Sequence, residues 1–338
     1  MTVAELSQDL VWAAATALTV ALVAFAIDLT RLAGRPEAEA DAHDEGAERT
    51  EVLATAAAGG TTPASPYGPG AVAPAAPAAA PAPSRKAANI GISVTWLGTA
   101  LLLVAIVTRG IAAGRAPWAN MYEFTLVGAF VALAVFLGVS VTRDVRFLGS
   151  FVTGLSVLFL GLAQNAFFVV ATGVQPALQS YWLVIHVGVA IIATGIFTVA
   201  FVTSALQLLR DSRDGGNAVL GARGWRWLDT TPGPVQLEAL SFRLNAVAFV
   251  LWTFTIIGGA IWAEHAWGRY WGWDPKEVWS FVVWIVYAAY LHARTTRGWS
   301  GRRAAYFVLV GYACVLFNFT GVNLLFNGKH SYSGLTTE

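Results

Sequence analysis

Long apolar segments recur along this chain, and they constrain its fold more than any other feature. Each extends over about 20 residues, which is enough for a helix to cross roughly 30 Å of hydrocarbon. A composition that is 56% hydrophobic and only 12% charged exceeds what one soluble core could bury. The sequence therefore predicts an all-α, polytopic transmembrane helix bundle of about eight spans. We place these spans at residues 10–32, 92–111, 121–141, 147–171, 181–209, 242–263, 278–292 and 304–326.

Basic residues are distributed unevenly among the connections between these spans. All but five of the 21 Lys and Arg residues fall in alternate connections, and so on one face of the membrane. Basic residues favour the cytoplasmic face. We therefore expect a multi-pass protein of the cell (plasma) membrane, with both termini and the connection near residue 270 on the outer face.

The chain divides into three parts. Residues 1–33 are expected to form a retained N-terminal transmembrane helix, because no basic stretch precedes the apolar segment and no convincing cleavage site follows it. Residues 34–88 begin acidic and end in APAAPAAAPAPS, a composition that predicts a disordered cytoplasmic linker. Residues 89–338 contain the other spans and form one membrane domain.

The sequence also excludes several functions. Cys314 is the only cysteine, so the chain has neither the C-x-x-C-H of a covalent c-type cytochrome nor the C-x-x-C of a dithiol reductant. It contains no phosphate-binding glycine loop, serine nucleophile motif or nucleic-acid patch. We therefore expect no thiol chemistry of its own and no nucleic-acid partner.

Tryptophan is concentrated in one segment, which we predict to be an outer loop at 262–280, and six of the chain's 14 tryptophans fall between residues 262 and 284. An aromatic belt at the membrane interface explains some of these rings. A belt is normally scattered over all helix ends, however, and here Trp267, Trp271 and Trp273 fall within seven residues, separated by Gly268 and Gly272. Glycine allows the backbone to approach a flat ligand closely. The segment therefore predicts an aromatic platform for a ligand.

The residues that follow, DPKE, are typical of a helix start. Asp274 fits the N-cap, Pro275 the first helical position and Glu277 the capping-box position. These carboxylates are therefore poor candidates for acid-base catalysis. Lys276 and Arg269 remain free to pair with anionic groups of a ligand.

Two histidines are expected near the outer face. His186 lies about two turns, or roughly 8 Å, into the fifth span, and His330 follows the last span on the same side. From opposite flanks of the tryptophan-rich segment they could supply the two imidazole ligands of a six-coordinate haem iron. The alternative for His186 is a hydrogen-bonded packing residue, and His265, inside the segment, is a third candidate ligand.

A further histidine, His292, is predicted at a different depth. It lies 13 residues after Trp279, hence about 20 Å deeper along the seventh span and close to the cytoplasmic face. His43 falls in the predicted linker, so the chain offers no second ordered histidine at that depth. A haem site at His292 would need a ligand from another subunit.

The region from Trp118 to Ser333 resembles the CcsA-type proteins, also named CcsB or ResC, that handle haem in system II cytochrome c biogenesis. Its most specific element is WGRYWGWDPKEVWS, the WWD motif of a superfamily that also includes CcmC and CcmF. Supporting elements are WANMYEF, LQSYWLVIHV, YLHAR and GVNLLFNGKHSY. The Ala-Pro linker and the first span depart from the family pattern but leave the motif untouched.

The resemblance implies a haem-handling domain at residues 89–338, with its WWD motif at 262–280. Such proteins transport haem b, as a bound substrate, to the outer WWD domain. There it is attached through thioethers to the CxxCH of apocytochrome c by a holocytochrome c synthase (haem lyase) complex. The implied partners are a ResB-type (CcsB-family) membrane subunit, apocytochrome c and thiol-reducing thioredoxin-like proteins, all within or beside membrane lipid.

The family's site residues transfer to this sequence by matching motifs. The outer axial ligands of the haem iron become His186 and His330. The inner ligand becomes His292, and the second histidine of that inner haem site belongs to the ResB-type partner. His265 matches no ligand. The WWD platform becomes Trp267, Trp271, Trp273, Asp274, Pro275 and Glu277. Candidate contacts for the haem propionates are Arg269 and Lys276.

Two alternative functions remain open at this point. A haem exporter without a synthase role would share every feature of the sequence. A membrane electron-transfer cytochrome b would hold haem between two histidines, but it usually needs histidine pairs at two depths within its own helices, and only one pair exists here.

Overall fold

The structure is a computed structural model that describes residues 1–34, 85–173 and 179–330. These residues form helices and connections without a β-strand, which confirms the predicted all-α class. The long helices are α1 (Val3–Ala33), α2 (Lys86–Ala113), α3 (Met121–Thr142), α4 (Gly149–Ala166), α5 (Tyr181–Asp214), α6 (Pro234–Trp267), α7 (Pro275–Thr296) and α8 (Arg302–Leu316). A π-helical turn (Phe317–Gly321) and a short helix α9 (Val322–Leu325) continue α8, and 3-10 turns lie at Arg146–Leu148 and Arg223–Thr230.

Seven helical stretches in the described ranges are long and apolar enough to cross a membrane, which makes this a multi-pass membrane protein. They are α1 to α6, with α4 extended by its preceding 3-10 turn, and α8 with its continuation. The predicted span at 278–292 lies in α7, which has 22 residues but is more polar because it carries Lys276, Glu277 and Arg294. It is therefore not among the seven candidate spans of the described ranges.

Two predicted boundaries differ from the structure. The span predicted at 147–171 ends as helix at Ala166. The extended chain that follows gives its carbonyls to arginines, with Val169 O 2.7 Å from an Arg109 nitrogen and Thr172 O 3.1 Å from Arg115 Nε. Because the residues after Ala166 are apolar, the sequence predicted that the helix continues through them. At the other boundary, α2 begins at Lys86, inside the end of the predicted linker, most of which (35–84) lies outside the described residues.

The helix α1 packs closely against its neighbours. It contacts α2 and α4, and glycines on those helices accept its side chains without space for a methyl group. A Cβ at Gly91 of α2 or Gly149 of α4 would lie 2.9 or 2.6 Å from the Phe25 ring. Arg85, just before α2, pairs with the buried Asp28 at 2.6 Å. The first helix is therefore an integral part of the bundle core.

The bundle has two polar ends of different character. We call the end with residues 28–34, 143–148, 210–234 and 294–302 the basic end. Ion pairs cross it, including Arg85 with Asp144 at 3.2 Å and Arg294 with Glu238 at 2.9 Å. The opposite end, which holds residues 114–120, 179–186, 262–277 and 326–330, we call the tryptophan end. Because the connected helices alternate in direction, His186, His330 and the tryptophan-rich segment all lie at this second end.

Candidate functional site

A cavity opens at the tryptophan end between α3, α5, α6, α7 and the continuation of α8. Its volume is about 1230 Å³ when the open space at its mouth is included. Its walls are largely apolar and aromatic. The lining side chains with polar atoms include Trp118, His186, Lys276, Glu277, Asn318 and His330.

His186 is held on the cavity wall by α6. Its Nδ1 lies 2.8 Å from the carbonyl oxygen of Thr255, and its ring stacks parallel to that of Trp262, at 6.1 Å and 9°. Since a carbonyl oxygen can only accept, Nδ1 carries the proton and Nε2 keeps a free lone pair. Gly259 makes room for the ring, because a Cβ there would lie 2.7 Å from His186 Cε1.

His330 is held in an equivalent way by a carboxylate. Its Nδ1 lies 2.9 Å from Asp274 Oδ1, and its ring packs edge-on against Trp262 at 5.6 Å and Trp267 at 4.8 Å. Both histidines therefore contact the indole of Trp262 and line the same cavity, and within the described part of the chain neither Nε2 has a hydrogen-bond partner. A backbone carbonyl or a carboxylate at the second nitrogen is the usual environment of a metal-ligating histidine.

Asp274 is ionised at neutral pH despite its burial. Burial alone would raise the pKa of its carboxyl, but the hydrogen bond from His330 and those from the backbone amides of Lys276 and Lys329 outweigh it and lower the pKa to about 2. Glu277 completes the predicted capping box, since its Oε2 accepts from Asp274 N at 3.0 Å. The same oxygen accepts from Gly272 N at 2.8 Å. The start of α7 is thus tied to the tryptophan-rich connection.

The tryptophan-rich segment is mostly helical. The segment predicted as one outer loop at 262–280 contains the end of α6 and the start of α7, and only residues 268–274 are non-helical. The physical reason is that the DPKE capping box starts α7 early, while the apolar run of α6 continues to Trp267.

The three tryptophans of the predicted platform occupy different positions. Trp271 lines the cavity. Trp267 does not line it but packs against the ring of His330, which does. Trp273 is 74% exposed and has a positive φ of 60°, a conformation that is rare for a bulky residue. The cavity wall is completed instead by Trp262 and Tyr270, which the sequence interpretation did not assign to the platform.

The two candidate contacts for propionates are also separated. Lys276 lines the cavity, where its Nζ donates to the carbonyl oxygen of Asn318 at 2.6 Å. Arg269 instead lies over the backbone at Gly272, where a Cβ would collide with its guanidinium. Of the two cations, only Lys276 is among the residues that line the cavity.

His265 and His292 lie apart from the cavity, and His43 lies outside the described residues. His265 is half exposed, and its Nδ1 is 2.8 Å from the carbonyl oxygen of Ile261 in its own helix. His292 is exposed on α7 near the basic end, two residues before Arg294. The structure therefore brings His186 and His330 together and leaves His265 and His292 outside.

Trp118 and Asn318 line the cavity but were not assigned to the site by sequence interpretation. Three buried polar atoms on its wall, Trp118 Nε1, Glu277 Oε1 and Asn318 Oδ1, have no hydrogen-bond partner among the described residues. Buried polar atoms are almost always paired, so unpaired atoms in one cavity indicate that a ligand or water completes them. The glycine pair at 258–259 in an apolar helix was the available signal for the His186 pocket. The π turn around Asn318, a feature frequent at functional sites, had no such signal.

Comparison with known proteins identifies relatives of this chain. The family model described as "Cytochrome C assembly protein" matches residues 118–330. The cytochrome c biogenesis protein CcsA of Synechococcus sp. (strain CC9902) is 35% identical over 254 residues, which cover 69% of this chain and 83% of that protein. CcsA of Porphyra purpurea is 33% identical over 279 residues, covering 72% and 86%.

The fold is also similar to that of a solved structure. The cytochrome c heme lyase CcmF superposes with a TM-score of 0.62 at 14% sequence identity, covering 99% of this chain and 49% of that one. This chain thus spans about half the length of CcmF, and at this identity the likeness concerns the fold alone. Together with the family match over the cavity-forming residues, the CcsA relatives establish that the chain belongs to the cytochrome c assembly protein family, as a CcsA-type cytochrome c biogenesis protein.

Proposed function

We propose that this protein binds haem b as a substrate in the cavity at the tryptophan end, with His186 and His330 as axial ligands. It presents the haem there to the CxxCH of apocytochrome c, as part of a holocytochrome c synthase. One observation carries the proposal. Two histidines in one cavity contact the same Trp262 indole, and each has Nδ1 engaged by an oxygen acceptor and, among residues 1–34, 85–173 and 179–330, no partner at Nε2.

The chain's own contribution is positioning. When bound, the haem supplies vinyl groups that form thioethers with the two thiols of the apocytochrome, and this chain supplies neither a thiol nor a general base. The histidines fix the haem plane, and the tryptophans of the WWD segment exclude water from it. The Lys276 ammonium lies where it can neutralise a propionate. Holding reactants in a productive geometry can itself account for much of a rate enhancement.

The proposal includes an orientation and partners. With the basic end in the cytoplasm, haem is taken up on that side of the cell membrane and transported through the bundle. His292, exposed near that end, is the inner ligand, and the second ligand comes from a ResB-type membrane subunit. Thioredoxin-like proteins keep the apocytochrome thiols reduced, since Cys314 is the only thiol of this chain.

The test is to replace each ligand with glycine in the complex with its partner subunit. We expect His186→Gly and His330→Gly to remove haem from the outer site and abolish holocytochrome c formation, and added imidazole to restore both partly. His265→Gly is the matched control, because that histidine lies outside the cavity. The readouts are the haem absorption spectrum of the purified complex and the yield of holocytochrome c in cells. Normal haem content and normal yield for His330→Gly would refute the proposal.

A further inference from the structure

We propose that Asp274 is a positioning residue for the outer haem: its carboxylate orients His330 and makes that imidazole a stronger iron ligand. The inference rests on the proposed function, because it needs His330 to be a ligand. Asp274 Oδ1 accepts from His330 Nδ1 at 2.9 Å, and Oδ2 accepts from Lys329 N at 2.6 Å. Both oxygens of a buried carboxylate are thus directed at one short segment of chain.

The segment that carries His330 depends on this carboxylate. His186 is part of a long helix, whereas His330 follows the end of α9 at Leu325 in non-helical chain. Backbone geometry alone therefore does not orient the His330 ring. The approach of the segment to Asp274 is close, since a Cβ at Gly328 would lie 2.5 Å from Oδ2. Through this carboxylate the segment at 328–330 is connected to the tryptophan-rich segment, 56 residues before His330.

The carboxylate also affects the electronic character of the ligand. A carboxylate that accepts from the second nitrogen of a metal-bound histidine fixes its tautomer and raises its basicity. A more basic axial ligand favours ferric over ferrous iron and lowers the reduction potential. Asp274 is therefore expected to hold the outer haem at a lower potential than a neutral hydrogen-bond acceptor would.

Asp274 has a second role that the experiment must separate from this one. It caps α7, accepting from Lys276 N at 3.1 Å. Asn and Ser cap helices about as well as Asp. Asp274→Asn keeps one acceptor oxygen for the cap and for His330, and it removes the charge together with the Oδ2 acceptor of Lys329 N. Asp274→Ser keeps the cap but is too short to reach His330. The two variants thus separate charge from orientation while preserving the start of the helix.

The experiment uses the full chain with its partner subunit, purified with haem. For Asp274→Asn we expect near-normal haem content and a higher reduction potential of the outer haem. For Asp274→Ser we expect about 10- to 100-fold weaker haem binding, the range typical of lost support to a metal ligand, and partial rescue by added imidazole. Because Asp274→Ser leaves Lys329 N and His330 Nδ1 without their acceptor, we expect its unfolding temperature to fall modestly, and unfolding is therefore measured beside haem binding. A purely structural role would change unfolding but neither the potential nor the imidazole response.

The outcomes distinguish this inference from the proposed function. If His330→Gly loses the outer haem but both Asp274 variants keep the wild-type potential and haem affinity, the positioning role is refuted and the ligand role stands. If His330→Gly keeps the outer haem, the proposed function itself is refuted. Should Asp274→Ser fail to fold, the potential measured for Asp274→Asn decides alone.

Discussion

Replacing Gly259, which lines the cavity beside His186, with alanine is expected to displace the His186 ring. A Cβ at this position would lie 2.7 Å from His186 Cε1 and 3.0 Å from Nδ1, while ordinary contacts begin at 3.4 Å. The ring must therefore move by about 0.7 Å, the difference between 3.4 and 2.7 Å. Because α6 supplies both the glycine and the Thr255 carbonyl, the movement takes the ring away from its own acceptor.

Three quantities determine the expected loss of holocytochrome c yield. A shift of 0.7 Å along the hydrogen bond lengthens the Nδ1 to Thr255 O distance from 2.8 to about 3.5 Å, at which most of a net 0.5–1.5 kcal/mol is lost. Overpacking a filled site costs about 1–3 kcal/mol. For positioned chemistry, a displacement near 1 Å lowers the rate about 100-fold. We therefore expect holocytochrome c yield to fall by about 10- to 100-fold, with weakened outer haem absorption.

The matched control is Gly258→Ala in the same helix. A Cβ there would lie 3.8 Å from the Cα and Cβ of His186, which is ordinary contact, so haem binding and yield should stay near wild type. Both variants add one methyl group at adjacent positions, and a helical alanine is favourable relative to glycine. The assay compares haem absorbance of the purified complexes and holocytochrome c in cells. Equal behaviour of the two variants would refute the assigned role of Gly259.

Two further substitutions test the structure around the site. Glu123→Gln should lower the free energy of unfolding by about 3–5 kcal/mol, because the fully buried carboxylate pairs with Arg109 at 3.0 Å and Arg115 at 2.7 Å. Thermal unfolding in detergent measures it, and the exposed Asp144→Asn, expected to change stability by only about 0–1 kcal/mol, is the control. Trp273→Gly should raise the unfolding temperature, because glycine relieves a positive φ that costs about 1–3 kcal/mol. The same change should lower holocytochrome c yield if the exposed indole belongs to the haem platform, and an unchanged unfolding temperature would contradict the strain.

The helices and the histidine pair could be predicted because each depends on local patterns. A stretch of about 20 apolar residues is sufficient to indicate a spanning helix, and alternating direction then determines which end each loop occupies. This alternation alone places His186 and His330 at the same end of the bundle. The predicted end of α4 was wrong because Arg109 of α2 and Arg115, just after α2, donate to the carbonyls of Val169 and Thr172, which no local pattern reports.

The details of the site depended on contacts between distant residues. The hydrogen bond between Asp274 and His330 joins residues 56 positions apart, and Thr255 acts through its backbone, so its side-chain identity carries no signal. Trp273 is not among the residues that line the cavity, and it has a positive φ of 60°, neither of which composition reports. Composition predicted an aromatic site in this segment, whereas the assignment of individual rings to its wall required the fold.

The packing of α1 has a consequence for how this chain can vary. Its Phe25 ring fills the spaces above Gly91 and Gly149, and its Asp28 pairs with Arg85. The first helix therefore behaves as a bound peptide whose own affinity for the bundle keeps it in place. We therefore expect changes in the length or composition of the connecting sequence, residues 35–84, to leave the first helix docked.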